Sequence, residues 1–182
     1  MKEEIIIAGF GGQGVLSMGK ILAYSGIMQD MEVTWMPSYG PEMRGGTANV
    51  TVILSDKKIN SPILSQYDTA IILNQQSLDK FEERVKPGGL LLFDPNGITK
   101  APTRRDITIC SIDAAELAAK LGNSKTYNMI VLGAYLKKRS VVERGNVIEG
   151  LKKSIPQRNH DLIPMNERAI DIGMQEVLDL YT

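Results

Sequence analysis

The start of the chain constrains the fold most. Ile5-Ile6-Ile7-Ala8 is followed at once by Gly9-Phe10-Gly11-Gly12-Gln13-Gly14, and then by an apolar-periodic run from Val15. A short β-branched run reads as a buried strand, and Val15, Leu16, Met18, Ile21, Leu22, Tyr24 and Met28 recur at helical spacing to about residue 29. Gly9, Gly11 and Gly14 fit the G-x-G-x-x-G spacing. Glycine there lets the chain turn tightly, lets its backbone approach a bound group, and lets the helix pack closely on the sheet. The unpaired N–H groups and positive dipole end of such a helix suit a phosphate or another anion. A glycine-rich turn that binds nothing is the alternative.

Gly19 and Gly26 cost the helix about 1 kcal/mol each against alanine, so they predict an element packed tightly against it. A second strand is expected over 33–36. The next stretch, Pro37-Ser38-Tyr39-Gly40-Pro41-Glu42-Met43-Arg44-Gly45-Gly46-Thr47, reads as a shaped loop, because its prolines and glycines oppose regular structure. After a strand of an α/β sheet, this loop would lie near the first glycine turn. Ser38, Tyr39, Glu42, Arg44 and Asn49 gather hydroxyl, carboxylate, guanidinium and amide groups in a short span. A solvated loop with a local Glu42–Arg44 ion pair is the bland reading.

Further strands are expected over 48–54, 70–73, 90–93 and 107–110, with 58–61 a candidate antiparallel return ended by Pro62. Leu78, Phe81 and Val85 form a helix face stopped by Pro87-Gly88-Gly89, and Asp113 with Glu116 fits a capping box. From about residue 126 the strands stop, and helices follow over 127–138, 146–155 and 166–180. The first of these is apolar nearly all round: either a plain core helix, or one that faces the sheet on one side and a partner chain on the other. The expectation is a single domain over 1–182 of class α/β: a three-layer α/β/α, Rossmann-like, largely parallel sheet with a helical C-terminal part.

Composition narrows the chemistry. The 182 residues carry zero formal net charge, so no general attraction to nucleic acid or an anionic membrane is expected. One cysteine, Cys110, can neither form an internal disulfide, which fits a cytoplasmic setting, nor hold an iron–sulfur cluster, which takes about four thiolates. His160 is the only histidine, so neither a metal cluster nor a histidine-activated nucleophile is expected. No apolar run approaches the roughly 20 residues needed to span a bilayer, and the start lacks a signal-peptide pattern. A conventional NAD site needs an acidic residue at the end of the second strand; Asp30 and Glu32 precede that strand, and its end reads Pro37-Ser38.

Gly9-x-Gly11-Gly12-Gln13-Gly14 followed by Ser38-Tyr39-Gly40-Pro41-Glu42-x-Arg44-Gly45-Gly46 resembles the gamma subunit of the 2-oxoacid:ferredoxin oxidoreductases. The resemblance extends to Gly88-Gly89-Leu90 and to Asn166-x-x-Ala169-x-x-x-Gly173. It implies oxidative decarboxylation of a 2-oxoacid to an acyl-CoA by a hetero-oligomer with alpha, beta and delta-type subunits, passing electrons to ferredoxin. It further implies that thiamine diphosphate, magnesium and iron–sulfur clusters sit on the other subunits, with no cofactor held by this chain alone. The wording around Met43 and Thr47 is most similar to the 2-oxoglutarate or 2-oxoisovalerate branch. On this reading Gly9, Gly11, Gly12, Gln13 and Gly14, with Ser38, Tyr39, Gly40, Pro41, Glu42, Arg44, Gly45, Gly46, Thr47 and Asn49, border the coenzyme A path. A stand-alone nucleotide-binding module and a purely architectural subunit are the competing readings.

Overall fold

The computed structural model describes residues 1–39 and 46–180. Strand β1 (Lys2–Phe10) leads through the glycine turn into α1 (Val15–Met28). Strands β2 (Glu32–Tyr39), β3 (Thr47–Ser55) and β4 (Tyr67–Ile72) follow, then α2 (Gln75–Phe81), β5 (Val85–Phe93), β6 (Thr108–Ser111) and α3 (Ala114–Lys120). The C-terminal part holds α4 (Tyr127–Lys138), α5 (Arg144–Ser154), α6 (Ile163–Glu176) and β7 (Leu178–Asp179).

Among the described residues one sheet has the order β2-β3-β1-β4-β5-β6-β7. β1, β4, β5 and β6 pair in parallel, β3 runs antiparallel between β2 and β1, and β7 runs antiparallel to β6. Five strands therefore point one way, as a largely parallel sheet requires. The seven residues between β2 and β3 cannot make a parallel crossover, which takes a dozen or more, so this connection reverses the chain.

The two faces are unequally covered. Ile5 and Ile7 of β1 join the core beneath α1, α3, α4, α5 and α6, whereas Ile6 and Ala8 face Leu78 and Phe81 of α2. The helix over 127–138 is a core element: its residues from Met129 to Leu136 are buried, with α3 and α6 packed on it. Gly19 and Gly26 meet the close neighbours their positions predicted. A Cβ on Gly19 would stand 2.6 Å from Val50 Cγ1, and one on Gly26 2.7 Å from Leu54 Cδ2.

Four expectations are corrected. The second strand runs on through Pro37 and Ser38 to Tyr39, because β2 is an outer strand and a proline costs no ladder bond when its nitrogen faces outward. Val85 opens β5 rather than closing a helix face. Pro87, Gly88 and Gly89 lie inside that strand, where the pairing jumps from Tyr67–Val85 to Thr69–Leu90 and the extra residues bulge out. Residues 57–61 form no strand. Strands do not stop at residue 126, since Leu178 and Asp179 pair with Ser111 and Cys110 as β7.

The amino-terminal end of the central strands is closed by charge. Lys86 Nζ lies 2.5 Å from Glu4 and 2.7 Å from Asp68, and buried Glu3 accepts the Thr69 hydroxyl at 2.6 Å. Burial raises the Glu3 carboxyl above its ordinary range. Among the described residues the carboxyl-terminal end has no such ion-pair closure around α1.

Candidate functional site

The turn from β1 to α1 is built by its own residues. The Phe10 N–H donates to Gln13 Oε1 at 2.6 Å, the Gln13 N–H returns to the Phe10 carbonyl at 3.2 Å, and Gln13 Nε2 donates to the Leu73 carbonyl at 3.2 Å. Gln13, expected to border the coenzyme path, thus spends its side-chain amide clamping the turn to the residue after β4. Gly9 makes room for the clamp, as a Cβ there would stand 2.5 Å from Gln13 Oε1.

Gly14 caps α1 with φ 76°, in the left-handed region. Among the described residues no side chain caps this helix, and its first turn carries no acidic residue. The first N–H groups of a helix have no partner within it, so the donors and dipole of α1 face the space around the turn. Two cavities adjoin that space. One, of about 380 Å³, lies toward β3 between Phe10, Gly11, Gly12, Leu16, Gly46 and Thr47. The other, of about 430 Å³, lies toward α3 and α4 between Gly12, Gly14, Ala115, Lys125, Tyr127 and Asn128. Lys125 and Asn128 also line a third, of about 270 Å³, with Ser17, Lys20 and Asn166.

The proximity of the two glycine stretches is borne out at one point: the Gly11 N–H donates to the Gly46 carbonyl at 3.0 Å. Gly46 and Thr47 line the same cavity as Gly11, Gly12 and Gly14. Ser38 and Asn49 are cross-strand partners on β2 and β3 and line neither cavity beside the turn. Tyr39 ends β2 opposite Ala48. Gly40, Pro41, Glu42, Arg44 and Gly45 lie outside the described residues.

Three polar residues of the second cavity were not found from sequence. Asn128 Nδ2 donates to the Gly14 carbonyl at 3.4 Å. Lys125 stands exposed on the rim without an ion pair among the described residues. Burial, and then the carboxylate of Asp94, hold the Tyr127 hydroxyl protonated well above the ordinary tyrosine range. The start of α4 was visible as helical periodicity, but nothing local marks it as facing a turn more than 100 residues away. Cys110, as expected, is buried; its thiol donates to Asp179 at 3.0 Å, and burial foremost pushes it up to about 12. His160 lies in a short helix over Gln157–Leu162, with Nε2 3.1 Å from the Lys152 carbonyl and far in sequence from the turn.

The chain as a whole resembles known proteins. Residues 4–176 match the family model described as pyruvate ferredoxin/flavodoxin oxidoreductase. The chain belongs to this family. It is 34% identical over 173 residues to ketoisovalerate oxidoreductase subunit VorA of Methanothermobacter thermautotrophicus, a match covering 94% of this chain and 36% of that one. It is also 34% identical over 186 residues to 2-oxoglutarate synthase subunit KorC of Methanothermobacter marburgensis, covering 98% of both. The chain thus spans about a third of the first relative and nearly all of the second. Among solved structures, the gamma subunit of a keto/oxoacid ferredoxin oxidoreductase from Geobacter sulfurreducens superposes with a TM-score of 0.84 at 27% identity, covering 97% of this chain and 96% of that one. No helix among the described residues is long and apolar enough to cross a membrane.

Proposed function

We propose that this chain is the gamma-type subunit of a thiamine-dependent 2-oxoacid:ferredoxin oxidoreductase and forms the coenzyme A side of its active centre. The observation that carries this reading is the open amino end of α1, uncapped among the described residues and with no acid in its first turn, set between two cavities that share Gly12 and Gly14. Coenzyme A joins phosphates to a long, weakly polar arm. Phosphate groups suit free helix N–H donors, with the Lys125 ammonium, unpaired among the described residues, on the rim of the second cavity, while Phe10, Leu16 and Ala48 offer apolar contact for the arm in the first. The full coverage of KorC, itself named as a subunit, supports a separate chain that works within a complex. Ketoisovalerate and 2-oxoglutarate, the substrates in the relatives' names, support a 2-oxoacid as the substrate class.

The chain's own residues fit binding and orientation. Its one cysteine is committed to Asp179 and cannot assemble a cluster. Thiamine diphosphate and magnesium on the alpha and beta subunits would supply the decarboxylation, and clusters on a delta or beta component would carry electrons to ferredoxin. This subunit would hold the coenzyme with its thiol presented toward them. An NAD site remains unsupported, since β2 ends at Ser38-Tyr39 with no acid to hold a ribose.

Arg44, in the second glycine stretch, is proposed to meet a coenzyme phosphate or a partner carboxylate. In the reconstituted complex, Arg44→Ala should raise the KM for coenzyme A about tenfold, the loss expected for one charge-assisted hydrogen bond of about 1.5 kcal/mol, or weaken assembly. The KM for the 2-oxoacid should hold. Unchanged assembly together with an unchanged coenzyme KM would remove Arg44 from the site.

A further inference from the structure

β2 is the outer strand of the sheet and carries the only tryptophan of the chain. The indole of Trp35 lies along α1, its Nε1 3.2 Å from the point where a Cβ on Gly19 would stand. Even so, Trp35 is 40% exposed and Ile27 of α1 50% exposed. With Lys20, Ala23 and Tyr24 they line a slot of about 320 Å³.

Helical spacing explains the slot. Lys20, Tyr24 and Ile27 share one strip of α1, four and three residues apart, and Leu16 continues that strip to the cavity beside the glycine turn. The other sides of α1 are buried on the sheet and α5. Lys20 lies over the Tyr24 ring at 5.9 Å and has no ion pair among the described residues. An aromatic slot with one cation at its mouth resembles the buried centre of a protein interface more than a solvated surface, where such groups are scattered singly.

The relatives indicate what covers it. In KorC this domain is nearly the whole polypeptide; in VorA it makes up 36% of a much longer chain. A domain found both free and joined needs a face that mates with the rest of the assembly without a peptide bond. We propose that the Tyr24–Ile27–Trp35 slot is that face, and that its occupant is the large partner subunit equivalent to the remainder of the longer relative. That subunit inserts an apolar side chain between the two rings and presents a carboxylate to Lys20. Because the strip ends at Leu16, docking there sets the partner beside the cavity of the glycine turn. This rests on the reading of the chain as one subunit of an oxidoreductase.

The test is co-expression of the full chain with the thiamine-binding subunits of its own organism and purification through a tag on this chain. Ile27→Glu should lower the co-purified thiamine-binding subunit at least tenfold, and Lys20→Glu should lower it less. Ile63→Glu, on a 78% exposed isoleucine outside the slot, should leave it unchanged. The isolated Ile27→Glu chain should melt as the wild type does, because the replaced side chain is half exposed. If the wild-type chain captures the subunit and Ile27→Glu captures it equally, the docking surface falls while the subunit reading survives. If the wild-type chain captures none, the subunit reading falls and the surface with it. A wild-type dimer in sedimentation that Ile27→Glu dissociates would name a second copy as occupant and overturn the proposal.

Discussion

Helix α2 begins with the Asn74 carboxamide accepting the Ser77 N–H at 2.8 Å, and α3 with the Asp113 carboxylate accepting the Glu116 N–H at 3.2 Å. Helix α1 also leaves the carboxyl end of a parallel strand, yet it begins with Gly14 and no side-chain acceptor. Both capped helices neutralise part of their amino-terminal charge, α3 further through Glu116 in its first turn. The same strand-to-helix step is therefore built in two ways. Where the turn only has to fold, a side chain closes it. At α1 glycine takes the cap position and leaves the backbone donors open. Gly14 serves conformation, since its φ of 76° is one that other residues adopt only at a cost.

Forcing a side chain into the open turn should have the largest effect. Gly14→Val must hold a branched residue at positive φ, about 1–2 kcal/mol, with its Cβ within 2.8 Å of the Asn128 side chain. A loss above about 2 kcal/mol in chemical denaturation is expected. Asn128→Ala in the same chain removes the Nδ2 and Cγ clashes but keeps the Cβ at 2.8 Å, so it should recover only some of the steric part and leave the backbone part. Full recovery would show that conformation is not what Gly14 supplies.

Removing a closure gives the next largest change. Asn74→Ala should cost about 1 kcal/mol of folding stability, as lost caps do, while the KM for coenzyme A of the assembled enzyme stays put. A rise in that KM would mean that α2, too, faces the coenzyme, and the contrast between the two kinds of turn would fail.

The smallest effect separates charge from cap at α3. Against the upward push of burial, hydrogen bonds from Asn96 and the Glu116 N–H hold the Asp113 carboxyl below its ordinary value. A carboxyl depressed in the folded state adds stability above its unfolded pKa of about 4, and that contribution is lost as pH falls through the folded value. Asp113→Asn keeps a capping side chain but no charge, so it should cost a few tenths of a kcal/mol at pH 7. The gap to wild type in thermal melts should close below about pH 4. A gap that stays constant with pH would assign the stabilisation to the hydrogen bond alone.

Much of this architecture was legible because local patterns agreed with the tertiary result. β1, the glycine turn, α1, the Asp113 cap and the helix from Tyr127 to Lys138 were each readable from period, capping chemistry and glycine placement. Readings failed where a local breaker was absorbed by its surroundings. Pro37 sits in a strand because β2 is at the edge, and Pro87-Gly88-Gly89 sit in β5 because a bulge takes up the excess length. The two residues of β7 are too short to show any period and are held only by pairing to β6.

The sequence by itself determined that a strand ends in a glycine turn opening a helix, and that its one cysteine cannot assemble an iron–sulfur cluster, which takes about four thiolates. Only the tertiary structure decided that Gln13 is spent as a clamp on Leu73, that Asn128 and Lys125 stand across from Gly14, and that Trp35 is left half uncovered beside α1. The reason is distance along the chain. Turn and helix signals are carried by neighbours within a few residues, whereas the walls of a cavity and the bare edge of a sheet depend on the strand order that brings remote segments together.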